Sequence, residues 1–371
     1  APGGRRSGRE DPGGVIQPDR PAGLRPAGLR PLWLVAGCVA VFLAAVAGLA
    51  IGPVRLPPGS VALELLNQLP FVRLHSGLTP REAAIVTELR LPRVVLGLRV
   101  GATLAVAGGC YQGVFRNPLA DPYLLGVSAG AGLGATAVIV YSAGDAGVGG
   151  LTSGLVPPAA FVGALGAVLL TYVLGFAGSR YRSPATLLLA GVAVAAFLTA
   201  AQTFLQQRNT DVIREVYSWL LGRLATEGWH DVLLLLPYSV LSIGVMLATR
   251  RTLDVLAVGD DEATGLGLHP RRARYLLLVA ASLGTAAAVS VSGLIGFVGV
   301  IVPHVVRLRF GTGYRVILPL AALFGAAFLA LADLAARTVL SPAEVPIGVV
   351  TAFAGAPFFI VVLRTSRRVQ I

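Results

Sequence analysis

Between Pro31 and Ile51 the chain reads PLWLVAGCVAVFLAAVAGLAI, without one charged side chain. A helix of about 20 apolar residues is what crosses a hydrocarbon core ~30 Å thick. Comparable runs recur almost to the C-terminus, at about 92–115, 122–141, 156–178, 185–206, 231–249, 274–294, 294–310, 316–338 and 346–363. Inside a bilayer no water pairs with exposed N–H and C=O groups, so only helices or a closed barrel can span it. No segment shows the two-residue alternation of a barrel strand. The expectation is an all-α polytopic membrane protein with about ten transmembrane helices. The charged fraction of 13% agrees, since soluble domains carry about 25%.

The 30 basic side chains are all arginine. A Walker A loop requires a lysine, so no P-loop ATPase lies on this polypeptide. Cys38 and Cys110 both sit in apolar runs and read as small packing residues. His75, His230, His269 and His304 form no ligand-spaced motif. No constellation of nucleophile, base or metal ligands is apparent. No catalytic role, cofactor, metal or nucleic-acid partner is expected, and the surrounding partner is membrane lipid.

Residues 1–30, rich in Gly, Pro and Arg, read as a disordered basic tail. The run from Pro31 is too long for a signal peptide's apolar core and reads as a span. PREAAIVTELR (80–90) places Pro80 and Glu82 in a first helical turn and is expected as a short helix at the interface. Residues 31–368 then form one permeating domain. Most arginines fall on one side of a ten-span topology: the tail, Arg116, Arg180, Arg182, Arg250, Arg251, Arg271, Arg272, Arg274, Arg307, Arg309, Arg315, Arg364, Arg367 and Arg368. The positive-inside rule puts that side, and both termini, in the cytoplasm. Arg81, Arg90, Arg93, Arg208, Arg214, Arg223 and Arg337 remain outside and call for another reason.

The stretch QGVFRNPLADPYLLGVSAGAGLGA (112–135) interrupts the apolar pattern with Arg116, Asn117, Pro118, Asp121 and Pro122. It reads as a cytoplasmic turn in which Asn117 holds the bend and Pro122 opens the third span. Gly126, Gly130 and Gly134 then form a small-residue face for close helix packing. Pro303 is expected to kink the eighth span. The loop at about 250–274 carries Asp260, Asp261 and Glu262, then Gly265 and Gly267, then arginines after Pro270. It reads as one or two short helices with a glycine turn, either a docking knob or a solvated connector.

Several stretches together resemble the permease subunits of ABC importers for iron chelates, haem and cobalamin, the type II importers. They are LRLPRVVLGLRVGATLAVAGGCYQGVFRNPLADPYLLGVSAGAG (89–132), LAVGDDEATGLGLHPRR (256–272), VSGLIGFVGVIVPHVVRL (291–308), LADLAAR (331–337) and PAEVPIGVVTAFAGAPFF (342–359). The resemblance covers about residues 31–368. It implies a dimer of permeases in the bacterial inner membrane, two cytoplasmic ATPase subunits and an external solute-binding protein. It further implies that Arg90, Arg93 and Arg337 meet acidic side chains of the binding protein. The loop from Asp260 to Gly267 would be the coupling element seated on the ATPase.

The substrates of such importers are bulky. No ring of acids suited to a bare cation is present. A ferric siderophore is the first expectation, with haem and cobalamin as alternatives. An ion-coupled secondary transporter would need buried carboxylates within spans. Asp333 is the nearest case, and Arg337 four residues on makes an ordinary helical ion pair with it.

Overall fold

A computed structural model describes residues 28–366, apart from 53, 55, 69–73, 143–148, 178–183 and 225–227. The basic tail up to residue 27, Arg180, Arg182, Arg367 and Arg368 lie outside the described residues. All regular structure among the described residues is helical. The helices are α1 (Pro31–Ala50), α2 (Pro58–Leu66), α3 (Pro80–Ala84), α4 (Leu91–Phe115), α5 (Val127–Ser142), α6 (Gly149–Ala177), α7 (Pro184–Arg208) and α8 (Ile213–Leu220). They continue as α9 (His230–Ala248), α10 (Arg250–Val258), α11 (Asp260–Gly265), α12 (Pro270–Ser292), α13 (Val298–Phe310), α14 (Tyr314–Thr338) and α15 (Ile347–Ser366).

Among the described residues seven helical stretches are long and apolar enough to cross a membrane: Pro31–Ala50, Pro80–Phe115, Gly154–Gly175, Ala185–Arg208, His230–Ala248, Pro270–Ser292 and Tyr314–Thr338. Two further apolar helices, Val127–Ser142 and Ile347–Ile360, are shorter, and α13 has 13 residues. Length and apolarity therefore support seven crossings, where the sequence pattern led us to expect ten. The short helices are flanked by or packed on longer ones, which supply the partners a lone short span lacks.

α4 is the centre of the bundle and packs against α1, α9, α12, α13 and α14. Its glycines allow this. A side chain at Gly101 would strike the backbone of Gly325 on α14, and one at Gly108 the backbone of Gly299 on α13. The expected interfacial helix at 80–90 is not separate. α3 runs through a π-helical segment, Ile85–Arg90, straight into α4. Its start carries a capping box, with Thr79 accepting from the Glu82 N–H and Glu82 accepting from the Thr79 N–H.

The elbow after α4 also departs from expectation in one respect. Pro122 does not open the third span; it opens a 3₁₀ turn, Pro122–Leu125, and α5 begins only at Val127. Gly126 sits between them at φ +81°, a left-handed conformation that favours glycine. It is thus a turn residue, and the close packing falls to the other two. At Gly130 and Gly134 an added Cβ would strike the backbone of Gly163 and Ala159 on α6. Pro303 lies inside α13 and is buried, and the neighbouring His304 ring packs edge-on against Phe358 at 5.7 Å.

Candidate functional site

Two charged clusters mark the ends of α4. Arg93 and Arg116 are 23 positions apart in sequence, about 35 Å along a helix.

At the first cluster, α4 meets α14 and the end of α1. Arg93 donates from Nε and Nη2 to Asp333 Oδ1 at 3.0 and 2.8 Å, and from Nη1 and Nη2 to Glu344 at 2.9 Å each. Arg337, one turn on from Asp333, lies with Nε 3.2 Å from Asp333 Oδ2. The pair expected from the four-residue spacing is present, with Arg93 as a further partner for the same carboxylate. Asp333 is buried, and an ionised carboxylate survives burial only when paired.

Arg90 and Arg337 face inward, both with about 5% exposure or less. Arg337 Nη2 donates to Gly48 O at 2.7 Å, and Arg90 Nη1 donates to Leu49 O at 2.8 Å. Arg90 Nη2 also donates to Val54 O. The last carbonyls of α1 have no partners within their own helix, and they carry the negative end of its dipole. Two guanidinium groups therefore cap α1, which gives these arginines an internal role. Arg93, by contrast, reaches the rim, where Glu344 is half exposed. The Arg93 hydrogen bonds hold the Glu344 carboxyl below the usual carboxylate range. Sequence reading missed Glu344 because nothing local ties it to a partner 251 positions away.

At the second cluster, α4 ends with Arg116 in the left-handed region, φ 51°. For an L-residue this conformation costs about 1–2 kcal/mol, and the side chain is firmly held in compensation. Arg116 Nε donates to Leu256 O at 2.8 Å, and Nη2 donates to Asp260 Oδ1. Arg274, in the first turns of α12, donates to both oxygens of the same carboxylate. This fork from Arg274 keeps the Asp260 carboxyl below its ordinary range. Asp254 of α10 accepts from the Tyr314 N–H at 2.6 Å at the start of α14. The α10–α11 knob is thus tied to α4, α12 and α14.

Of the three consecutive acids, Asp260 alone turns toward the bundle in this way, while Asp261 and Glu262 are exposed. Gly267 has φ +79° and provides the turn. Gly265 is helical and ends α11. Leu266 between them is 71% exposed, an apolar side chain offered at the tip. In the elbow, Asn117 Oδ1 accepts from the Leu119 N–H at 2.9 Å and Asp121 Oδ1 from the Tyr123 N–H at 2.7 Å. Pro118 is the middle residue of the first of these turns. Among the described residues no group of His, Cys, Asp and Glu is placed to hold a metal ion.

Residues 39–365 match the model of the FecCD transport family. The chain belongs to that family. The cobalamin import system permease of Halobacterium salinarum is 46% identical over 291 residues, covering 78% of this chain and 76% of that protein. The hemin transport system permease of Yersinia pestis is 41% identical over 285 residues, covering 76% and 83%. A solved structure of an inward-facing metal-chelate type ABC transporter superposes with a TM-score of 0.77 at 29% identity, covering 91% of this chain and all of that one. The fold is accordingly that of a type II ABC-importer permease. As a FecCD member the chain is a transport subunit rather than an enzyme.

Proposed function

We propose that this chain is the membrane-spanning subunit of an ABC importer for cobalamin. The import of a bulky metal chelate follows from membership of the FecCD family. The narrower choice rests on one observation, the 46% identity with a cobalamin permease. On that support cobalamin stands first in this proposal, ahead of the ferric siderophore expected from sequence. Haem is the second reading, supported by the hemin permease at 41%.

In this reading the permease pairs with a second copy, two ATPase subunits bind on the cytoplasmic side, and a solute-binding protein docks outside. The end of α4 with Arg116 and the α10–α11 knob faces the cytoplasm, together with both termini, because the arginine-rich segments lie there. Asp260, Asp261, Glu262, Gly265 and Gly267 belong to the element that seats on the ATPase. Leu266 supplies an apolar contact and Asp260 ties the element to the bundle. At the outer end Arg93 meets the binding protein, while Arg90 and Arg337 position it by holding α1.

The deciding experiment titrates the solute-binding protein encoded beside this chain with cyanocobalamin, haem and a ferric siderophore. Tight binding of the corrinoid is expected. Tight binding of the siderophore or haem alone refutes the cobalamin reading. ATPase stimulation in proteoliposomes that depends on the binding protein separates an importer from an ion-coupled transporter.

A further inference from the structure

The guanidinium of Arg93 has no free edge. A planar guanidinium offers a carboxylate two bidentate edges, Nε with Nη2 and Nη1 with Nη2. The first edge is taken by buried Asp333 at 3.0 and 2.8 Å, and the second by Glu344 at 2.9 Å from each nitrogen. The two acids differ in environment. The Asp333 side chain is 3% exposed and lies within α14, whereas that of Glu344 is 46% exposed. Glu344 belongs to the connection between α14 and α15, outside either helix. A cavity of about 170 Å³ adjoins the pair and is bordered by Arg93, Glu344, Arg223 and Pro346.

We propose that Glu344 is a built-in stand-in for an acidic side chain of the docking protein, and that docking on Arg93 proceeds by carboxylate exchange. This rests on the reading that Arg93 meets the solute-binding protein. In the free permease Glu344 fills the outer edge of Arg93 and holds the guanidinium flat and oriented. The incoming Asp or Glu takes the same two donors, and Glu344 is released toward solvent or the adjoining cavity. Asp333 keeps the inner edge throughout, so the cation is never unpaired. The exchange trades one charge-assisted pair for another, so the contact gives less affinity than an unoccupied Arg93 would, and it selects a partner with a carboxylate at that place. It also places a mobile link at the start of α15, only three residues beyond Glu344.

The test measures the affinity of the binding protein for the complete transporter complex in lipid nanodiscs. Glu344→Gln keeps the shape and removes the competing charge. It should tighten docking by about two- to fivefold, the size of one partly exposed charged pair. Glu344→Asp draws the carboxylate back by one methylene and should give a smaller gain in the same direction. Arg93→Gln should weaken docking, and Arg93→Gln with Glu344→Gln should bind like Arg93→Gln alone. If Arg93→Gln weakens docking while both Glu344 variants bind no tighter than the parent, the exchange is refuted and the docking role of Arg93 stands. If Arg93→Gln binds like the parent, the docking role itself fails, and the exchange with it.

Discussion

Replacing Asp333 by Asn removes the one buried carboxylate that Arg93 and Arg337 share. The parent makes three hydrogen bonds of 2.8–3.2 Å from Arg93 and a 3.2 Å ion pair with Arg337. The two arginines lose unequally. Arg93 keeps Glu344 and reaches the rim, so it can be rehydrated. Arg337 is 4% exposed and keeps only its bond to Gly48 O. Breaking a buried pair by removing one partner costs about 3–5 kcal/mol. With Arg93 compensated, we expect the lower end, about 3 kcal/mol.

Arg337→Met leaves Asp333 still paired with Arg93 and loses chiefly the α1 cap, worth about 1 kcal/mol. The double variant Asp333→Asn with Arg337→Met removes the stranded cation and should be less destabilised than Asp333→Asn alone. A double-mutant cycle by fluorescence-monitored unfolding in detergent micelles measures this coupling. Additive effects, or a loss below about 1 kcal/mol for Asp333→Asn, would refute the claim that this carboxylate neutralises a buried charge.

Three other perturbations have defined outcomes. Gly134→Val forces a side chain into the Ala159 backbone and should cost at least about 1–3 kcal/mol by overpacking, whereas Gly166→Ala, with open space around it inside α6, should hold or slightly raise the melting midpoint, since alanine is the better helix former. Asp260→Asn should raise hydrogen exchange across α10–α11. The parent should show the same loosening only in acid: the Asp260 carboxyl is depressed in the folded state, so its contribution is present above the unfolded value of 3.8 and is lost as pH falls through the lower folded value. Protection factors across α10–α11 that are the same in Asp260→Asn as in the parent, or that do not fall in the parent once the pH drops below 3.8, would remove the latch. Gly267→Val puts a β-branched residue at φ +79°, at a strain of order 1–3 kcal/mol. It should reduce co-purification of the ATPase while the permease stays folded, and wild-type yield of the complex would oppose the coupling role.

The sequence showed what depends on near neighbours and hid what depends on distant ones. Helical apolar runs, the bend at Asn117 and the Asp333–Arg337 pair rest on signals a few residues long, and each is found in the structure. The function of Gly126 was misread because a glycine in a turn and a glycine on a helix face look alike when both fall on a four-residue spacing. The span count is the less legible part, because a run such as 294–310 is apolar throughout while its helix α13 has only 13 residues. The arginines are the sharpest case. In the expected topology Arg90 and Arg337 run against the charge rule, and from sequence the explanation was a partner protein. The structure supplies an explanation inside the chain, since both side chains donate to open carbonyls at the end of α1. The positive-inside rule counts charges facing loops and water; a guanidinium folded back onto a helix end is not one of them. Of the three, only Arg93, with buried Asp333 beneath it and half-exposed Glu344 above, reaches the rim.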